Sequence, residues 1–249
     1  MVGLAVMTGR FDVSRAVGAG LGDRHRVWEF IAEFAAAWSR PLAPGDGYSE
    51  DPLWAVGERM GVRLPDTLCE AYRLFGRRLD LTSRQDQLLP PDRIRLDDSE
   101  AVIVFREENQ GCAEWAVSVT DPWIAEDPPV YVRTKGEPWV PFASRMSLAC
   151  AEMVLSEMVL GMQYMGMCDW SGESAATAEV ACSPVALPAF PLWAGPDLAS
   201  RWYAAPGKLL RVDAGGGYCW LIAAGQTRTD LESIYAAIPG RWEGPGKLS

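Results

Sequence analysis

The chain has 249 residues, 49% of them hydrophobic and 22% charged, which is typical of a globular protein and excludes a disordered or fibrous chain. Its formal net charge of −10 disfavours binding to a nucleic-acid backbone, which is itself negative. The single histidine, His25, excludes chemistry that requires two or three histidines.

Helices are predicted in the first third of the chain. Residues 24–38 repeat apolar side chains at helical spacing, and a second apolar stripe covers residues 53–60. The LPD string at 64–66 begins a third helix, which Gly76 ends. Before these helices, residues 1–22 are rich in Gly, Ala and Val and are predicted to be a disordered lead-in.

Short apolar runs follow, separated by turn residues. The runs at 101–105, 114–119 and 130–132 predict three strands of an antiparallel meander. A long helix is then expected to begin at Ser144 or Ser147 and to end near residue 165. Acidic side chains within that apolar stretch favour a buried helix over a membrane span.

The last third of the chain differs in composition. Residues 169–196 are rich in Ser, Ala and Pro and are predicted to form a long linker. A hairpin and a closing helix are predicted after it. The apolar runs behind this prediction are 201–203, 209–212, 218–223 and 229–238.

Segregated runs of helices and strands favour an α+β fold. We predict N-terminal helices packed around an antiparallel sheet, followed by a C-terminal helix and a β-hairpin/helix extension. Residues 23–168 would form the α+β domain. Residues 169–249 would form the linker and the β-β-α extension, packed on the same domain.

The sequence offers no recognisable catalytic or metal-binding constellation. His25 lies between two arginines at a helix start, and no GxSxG motif accompanies it. The six cysteines are scattered, without the close spacing of a zinc site, and no secretory signal pattern precedes them, so we expect reduced, mostly buried thiols in a cytoplasmic protein. We therefore predict no enzyme activity, no metal and no cofactor.

Charge is concentrated in the meander. Residues 97–127 carry nine carboxylates and one arginine, a net charge of −8, and several arginines precede them. One interpretation is a set of solvated strand edges and turns. The other is an acidic face that binds a basic protein, with Trp123 as an apolar anchor. The candidate partner-binding residues are Glu107, Glu108, Gln110, Glu114, Asp121, Trp123, Glu126 and Asp127.

Residues 54–155 resemble the SUKH superfamily of Smi/Knr-like proteins. Each motif is short, and the resemblance depends on their order and spacing over a typical domain length. The motifs are LPDTL at 64–68, AYRLFG at 71–76, LPP at 89–91, VIVF at 102–105, EENQG at 107–111, Trp115, DPPVY at 127–131, and Ser144 with Leu148.

The resemblance implies an α+β fold without catalytic residues. It also implies an immunity protein that binds and neutralises a cognate bacterial toxin, often a nuclease. A general scaffold or regulatory module without a toxin is the alternative. A small-ligand protein or enzyme is a third hypothesis, which requires a deep pocket with convergent polar groups. We expect one basic protein partner, no direct nucleic-acid contact and no membrane association.

Overall fold

Two antiparallel sheets pack against one long central helix in the computed structural model, which describes residues 10–99, 101–119, 126–169, 176–195, 197–238 and 240–244. The predicted α+β class is confirmed. The helices are α1 (Val13–Val17), α2 (Arg24–Trp38), α3 (Glu50–Met60), α4 (Asp66–Phe75), α5 (Leu79–Thr82), α6 (Met146–Gly161), α7 (Ala176–Ala181) and α8 (Arg228–Ala237).

The first sheet contains the predicted meander, with strand order β1-β3-β4-β5-β6, and β2 pairs with β3. A single 3₁₀ turn, Pro91–Arg93, precedes β2. The strands are β1 (Gln87–Leu88), β2 (Arg95–Leu96), β3 (Val102–Glu107), β4 (Ala113–Ser118), β5 (Val130–Thr134) and β6 (Val140–Ala143).

The second sheet lies in the C-terminal part of the chain, with strand order β13-β7-β12-β11-β10-β8, and β9 pairs with β10. Its strands are β7 (Met165–Asp169), β8 (Ser183–Pro184), β9 (Phe190–Pro191), β10 (Ala199–Ala205), β11 (Lys208–Gly215), β12 (Tyr218–Gly225) and β13 (Trp242–Glu243).

The local signals that predicted the N-terminal helices act as expected. The Asp23 carboxylate accepts a hydrogen bond from the Arg26 backbone N–H, which caps the start of α2. Gly61 ends α3 in the left-handed conformation, with φ of 68°. These helices are amphipathic and bury their apolar faces in the larger of two hydrophobic cores.

The predicted end of the long helix near residue 165 is wrong. The helix α6 ends at Gly161, and β7 begins four residues later. Strand β7 pairs with β12 on one side and with β13 on the other, so its backbone groups are satisfied within the sheet. Gly166 does not cap a helix: a Cβ atom there would lie 2.0 Å from the Tyr235 hydroxyl, so the glycine makes room for that ring.

The C-terminal region is larger than the predicted linker and β-β-α extension. Residues 176–191 add α7, β8 and β9, and β7 before them belongs to the same sheet as β12. One face of the second sheet joins the larger core through Trp202, Leu209 and Ile222. The other face forms a second core beneath α8. Helix α6 contacts strands of both sheets, and nearly all of its side chains are buried.

The prediction of a disordered lead-in is wrong over residues 10–22. Asp12 caps α1 by accepting from the Ser14 backbone N–H at 3.0 Å, and Val13 and Val17 are buried. The two valines are four residues apart and lie on one helical face, against α2 and β10. Residues 1–9 lie outside the described part of the chain.

No helix among the described residues is long and apolar enough to cross a membrane.

Candidate functional site

Two predicted site residues, Glu107 and Glu114, lie directly opposite each other on β3 and β4. Like charges in that position repel, and arginines from neighbouring segments neutralise them. Arg95 donates to both carboxylates at 2.6 Å, and Arg133 donates to Glu114 through two nitrogens at 2.9 and 2.7 Å. Arg93 donates to Glu107 at 2.8 Å. The basic flank noted in the sequence is thus folded onto the acidic meander.

Glu108 and Asp127 are also used within the fold. The Glu108 carboxylate accepts from the backbone N–H groups of Gln110 and Cys112 and holds the turn between β3 and β4. Asp127 accepts from the backbone N–H and the hydroxyl of Ser147, at 2.8 and 2.6 Å. Asp127 therefore caps α6, a role that the sequence assigned to Ser144 or Ser147.

Four carboxylates of the expected acidic face therefore have partners within the fold, those of Glu107, Glu108, Glu114 and Asp127. Partner binding at these positions stays a prediction. Gln110 and Glu126 are exposed and stay candidates for partner binding. The other two predicted residues, Asp121 and Trp123, lie outside the described residues.

Replacing Glu114 tests its role within the fold through stability. Glu114 is 2% exposed, and Glu114→Gln leaves Arg95 and Arg133 facing each other without the negative charge between them. We expect the free energy of unfolding to fall by about 1–3 kcal/mol, because both arginines can regain part of their hydration. Denaturant unfolding measures the change.

The matched control is Glu126→Gln at an exposed position of the same region, where we expect a change within about 0.5 kcal/mol. Equal stability of the two variants would mean that the Glu114 carboxylate is not part of the folded framework.

An open apolar groove lies along α3 and the beginning of α4, away from the meander strands. Its volume is ≈ 640 Å³. Leu53 and Leu64 are buried beneath it, and Cys69 contributes a half-buried thiol. Burial raises the pKa of the Cys69 thiol, which keeps it in the neutral, weakly nucleophilic form.

Trp54 is the most prominent residue of this groove. It follows Leu53 on α3, about 100° around the helix from the buried stripe, and 69% of its surface is exposed. It is the largest of the exposed apolar side chains in the described part of the chain. Covering the exposed part of a tryptophan contributes roughly 3–4 kcal/mol of binding free energy, so contact with Trp54 would stabilise a complex substantially.

Charged side chains of both signs surround the groove. Arg73 pairs with Glu50 at 3.1 Å, and Arg63 pairs with Asp66 at 2.8 Å. Glu58 also lines the groove and is exposed, and no described residue pairs with its carboxylate. An apolar centre with a charged rim is the usual anatomy of a protein-binding surface.

The sequence prediction missed Trp54 because tryptophans were expected mostly in the core. The helical period did contain the signal: Leu53, Val56 and Met60 form the inward stripe, which leaves Trp54 outside it. The single histidine, His25, is exposed at the start of α2, as predicted. Among the described residues, no group of three or more His, Cys, Asp or Glu side chains has the geometry to hold a metal ion.

Comparisons of the chain with protein-family models, with curated proteins and with solved structures gave no match. The resemblance to the SUKH superfamily therefore stays a prediction based on the sequence motifs.

Proposed function

We propose that this chain is a non-catalytic protein-binding module whose partner docks in the groove beside Trp54. The observation that carries the proposal is the exposure of that indole next to an apolar groove with a charged rim. Tryptophans in such positions are frequent hot spots of protein interfaces, where truncation costs 2 kcal/mol or more.

A basic partner fits this surface. The chain carries a net charge of −10, which attracts a positively charged protein from a distance. Both arginines of the rim have carboxylate partners, whereas Glu58 is available to a cationic side chain. Salt would slow the encounter without removing the apolar contact.

The SUKH resemblance extends the proposal to an immunity protein, which neutralises a toxin made by the same bacterium. The alternative, a general scaffold, uses the same groove for several modest partners. The number of partners and their stoichiometry distinguish the two functions. One tight partner with toxic activity favours immunity, and several weak ones favour the scaffold.

A tagged pull-down from the native host tests the proposal with three forms of the protein: wild type, Trp54→Ala and Leu79→Ala. Leu79 is a matched control, since it is an exposed apolar helix residue, 65% accessible, outside the groove. We expect one stoichiometric basic protein with the wild type and with Leu79→Ala, weaker capture at high salt, and loss of that protein with Trp54→Ala.

Capture that Trp54→Ala does not reduce would contradict docking in the groove, whatever protein is captured. Capture of several proteins, all reduced by Trp54→Ala, would keep the groove and favour the scaffold function over immunity.

A further inference from the structure

A second cavity lies where the second sheet meets the C-terminal end of α6 and the segment before β1. Its volume is ≈ 600 Å³, within the range of small-molecule sites. Part of its wall is one face of the sheet: Asp213 pairs with Trp220 across β11 and β12, and Arg211 pairs with Ile222. Asp86, just before β1, and Glu108, just after β3, contribute to the lining, so segments that flank the first sheet help to form the cavity.

Three carboxyl groups line this cleft, those of Asp86, Glu108 and Asp213. Glu108 and Asp213 are more than nine-tenths buried. Each carboxylate nevertheless has one oxygen without a hydrogen-bond donor among the described residues: Oδ1 of Asp86, Oε1 of Glu108 and Oδ2 of Asp213. None of these three oxygens is among the buried atoms that lack a partner, so each is open to the cleft and can accept from a bound cationic group.

Among the described residues, Arg211 is the one cation that lines the cleft, and it is already paired. Its Nε donates to Asp213 at 2.7 Å, and its Nη1 donates to the Ser156 hydroxyl at 2.9 Å. Three carboxylates against one paired guanidinium leave the lining negative. This balance disfavours an anionic ligand and favours a cation.

Aromatic rings stand beside the carboxylates. Tyr218 and Trp220 lie on the same face of β12, with ring centroids 6.2 Å apart, and Trp193 lines the cleft as well. About half of Tyr218 is exposed, 48%. Aromatic faces next to carboxylates are the usual surroundings of bound ammonium and guanidinium groups, which gain cation–π attraction in addition to ion pairing.

We propose that this cleft binds an organic cation, an ammonium or guanidinium group carried on an apolar body. The carboxylates of Glu108 and Asp213 receive the charge, and the rings of Tyr218 and Trp220 cover the apolar part. The site shares no lining residue with the groove at Trp54, and its calorimetric test does not depend on the function proposed for that groove.

Calorimetric titration of the full chain with 2-phenylethylammonium tests the site, with 2-phenylethanol and 3-phenylpropionate as the neutral and anionic counterparts. We expect saturable binding of the cation and at least about tenfold weaker binding of the other two, because only the cation satisfies the carboxylates. Tyr218→Ala and Glu108→Gln should each weaken the cation by about fivefold or more. Leu79→Ala, an exposed position outside both the cleft and the groove, should leave it unchanged.

Glu108→Gln keeps an amide oxygen that can accept from the turn backbone, and Tyr218→Ala alters a strand-end residue, so both variants are expected to fold. Equal binding of the three probes, absence of cation binding, or insensitivity to both variants would overturn the proposal. Repeating the pull-down with Tyr218→Ala identifies the source of the natural cation. Loss of that partner with Tyr218→Ala assigns the cation to a lysine or arginine of the partner, and its retention assigns the cation to a free small molecule.

Discussion

Replacement of Arg106 by methionine is expected to lower the free energy of unfolding by about 3–5 kcal/mol, the usual cost of leaving buried charges without their partner. The Arg106 side chain is only 3% exposed. Its guanidinium nitrogens donate to Glu157 at 2.8 Å, to Asp86 at 3.2 Å and to Glu152 at 3.3 Å. The guanidinium also lies 4.6 Å from the centre of the Trp115 ring. Methionine fills the space but leaves three carboxylates facing one another.

The matched control is Arg93→Met. Arg93 forms an ion pair with Glu107, but its side chain is 49% exposed. Solvent screens that pair, and we expect a loss of at most about 1 kcal/mol. Denaturant unfolding of both variants at neutral pH measures the difference. Similar stability losses would show that the Arg106 cluster is hydrated rather than buried.

The second large effect concerns Asp86 and pH. Burial raises the pKa of Asp86 from 3.8 to about 6, against the opposing attraction of Arg106. Between these values the folded chain holds a proton that the unfolded chain has lost. Stability therefore decreases as pH rises through this window. Above it, the ionised carboxylate costs the folded state about 3 kcal/mol, since each pKa unit corresponds to about 1.4 kcal/mol.

Asp86→Asn removes that cost, while Glu152 and Glu157 still neutralise Arg106. We expect the variant to be more stable than the wild type by up to about 3 kcal/mol near pH 7.5, and by about half as much near pH 5. Unfolding free energies measured across this range give the comparison. A stability gap that does not change with pH would contradict the raised pKa.

The fold class and the N-terminal helices were predictable from the sequence because their signals are local. Helix α2 has the predicted bounds, and β3, β4 and β5 coincide with the apolar runs of the meander. Strand β7 was not predictable in this way. Its apolar residues also fit a helix, and only pairing with β12 and β13 decides between the two structures.

The acidic meander shows the limit of counting charges along the chain. The carboxylates of residues 97–127 were counted along the chain, whereas Arg95 and Arg133 reach them only through strand pairing. The same limit applies to the cleft, whose carboxylates come from three separate segments. The exposure of Trp54, by contrast, follows from the helical period of α3 and could have been predicted from the sequence.

The most direct test of the groove is the dissociation constant of the captured partner, purified and measured against wild type, Trp54→Ala and Glu126→Lys. Docking at Trp54 predicts that Trp54→Ala weakens binding by about thirtyfold or more, equivalent to at least about 2 kcal/mol. Glu126→Lys on the meander should weaken binding by less than about tenfold, and mainly at low salt. Wild-type affinity for Trp54→Ala together with loss of binding for Glu126→Lys would contradict the groove and place the interface on the meander.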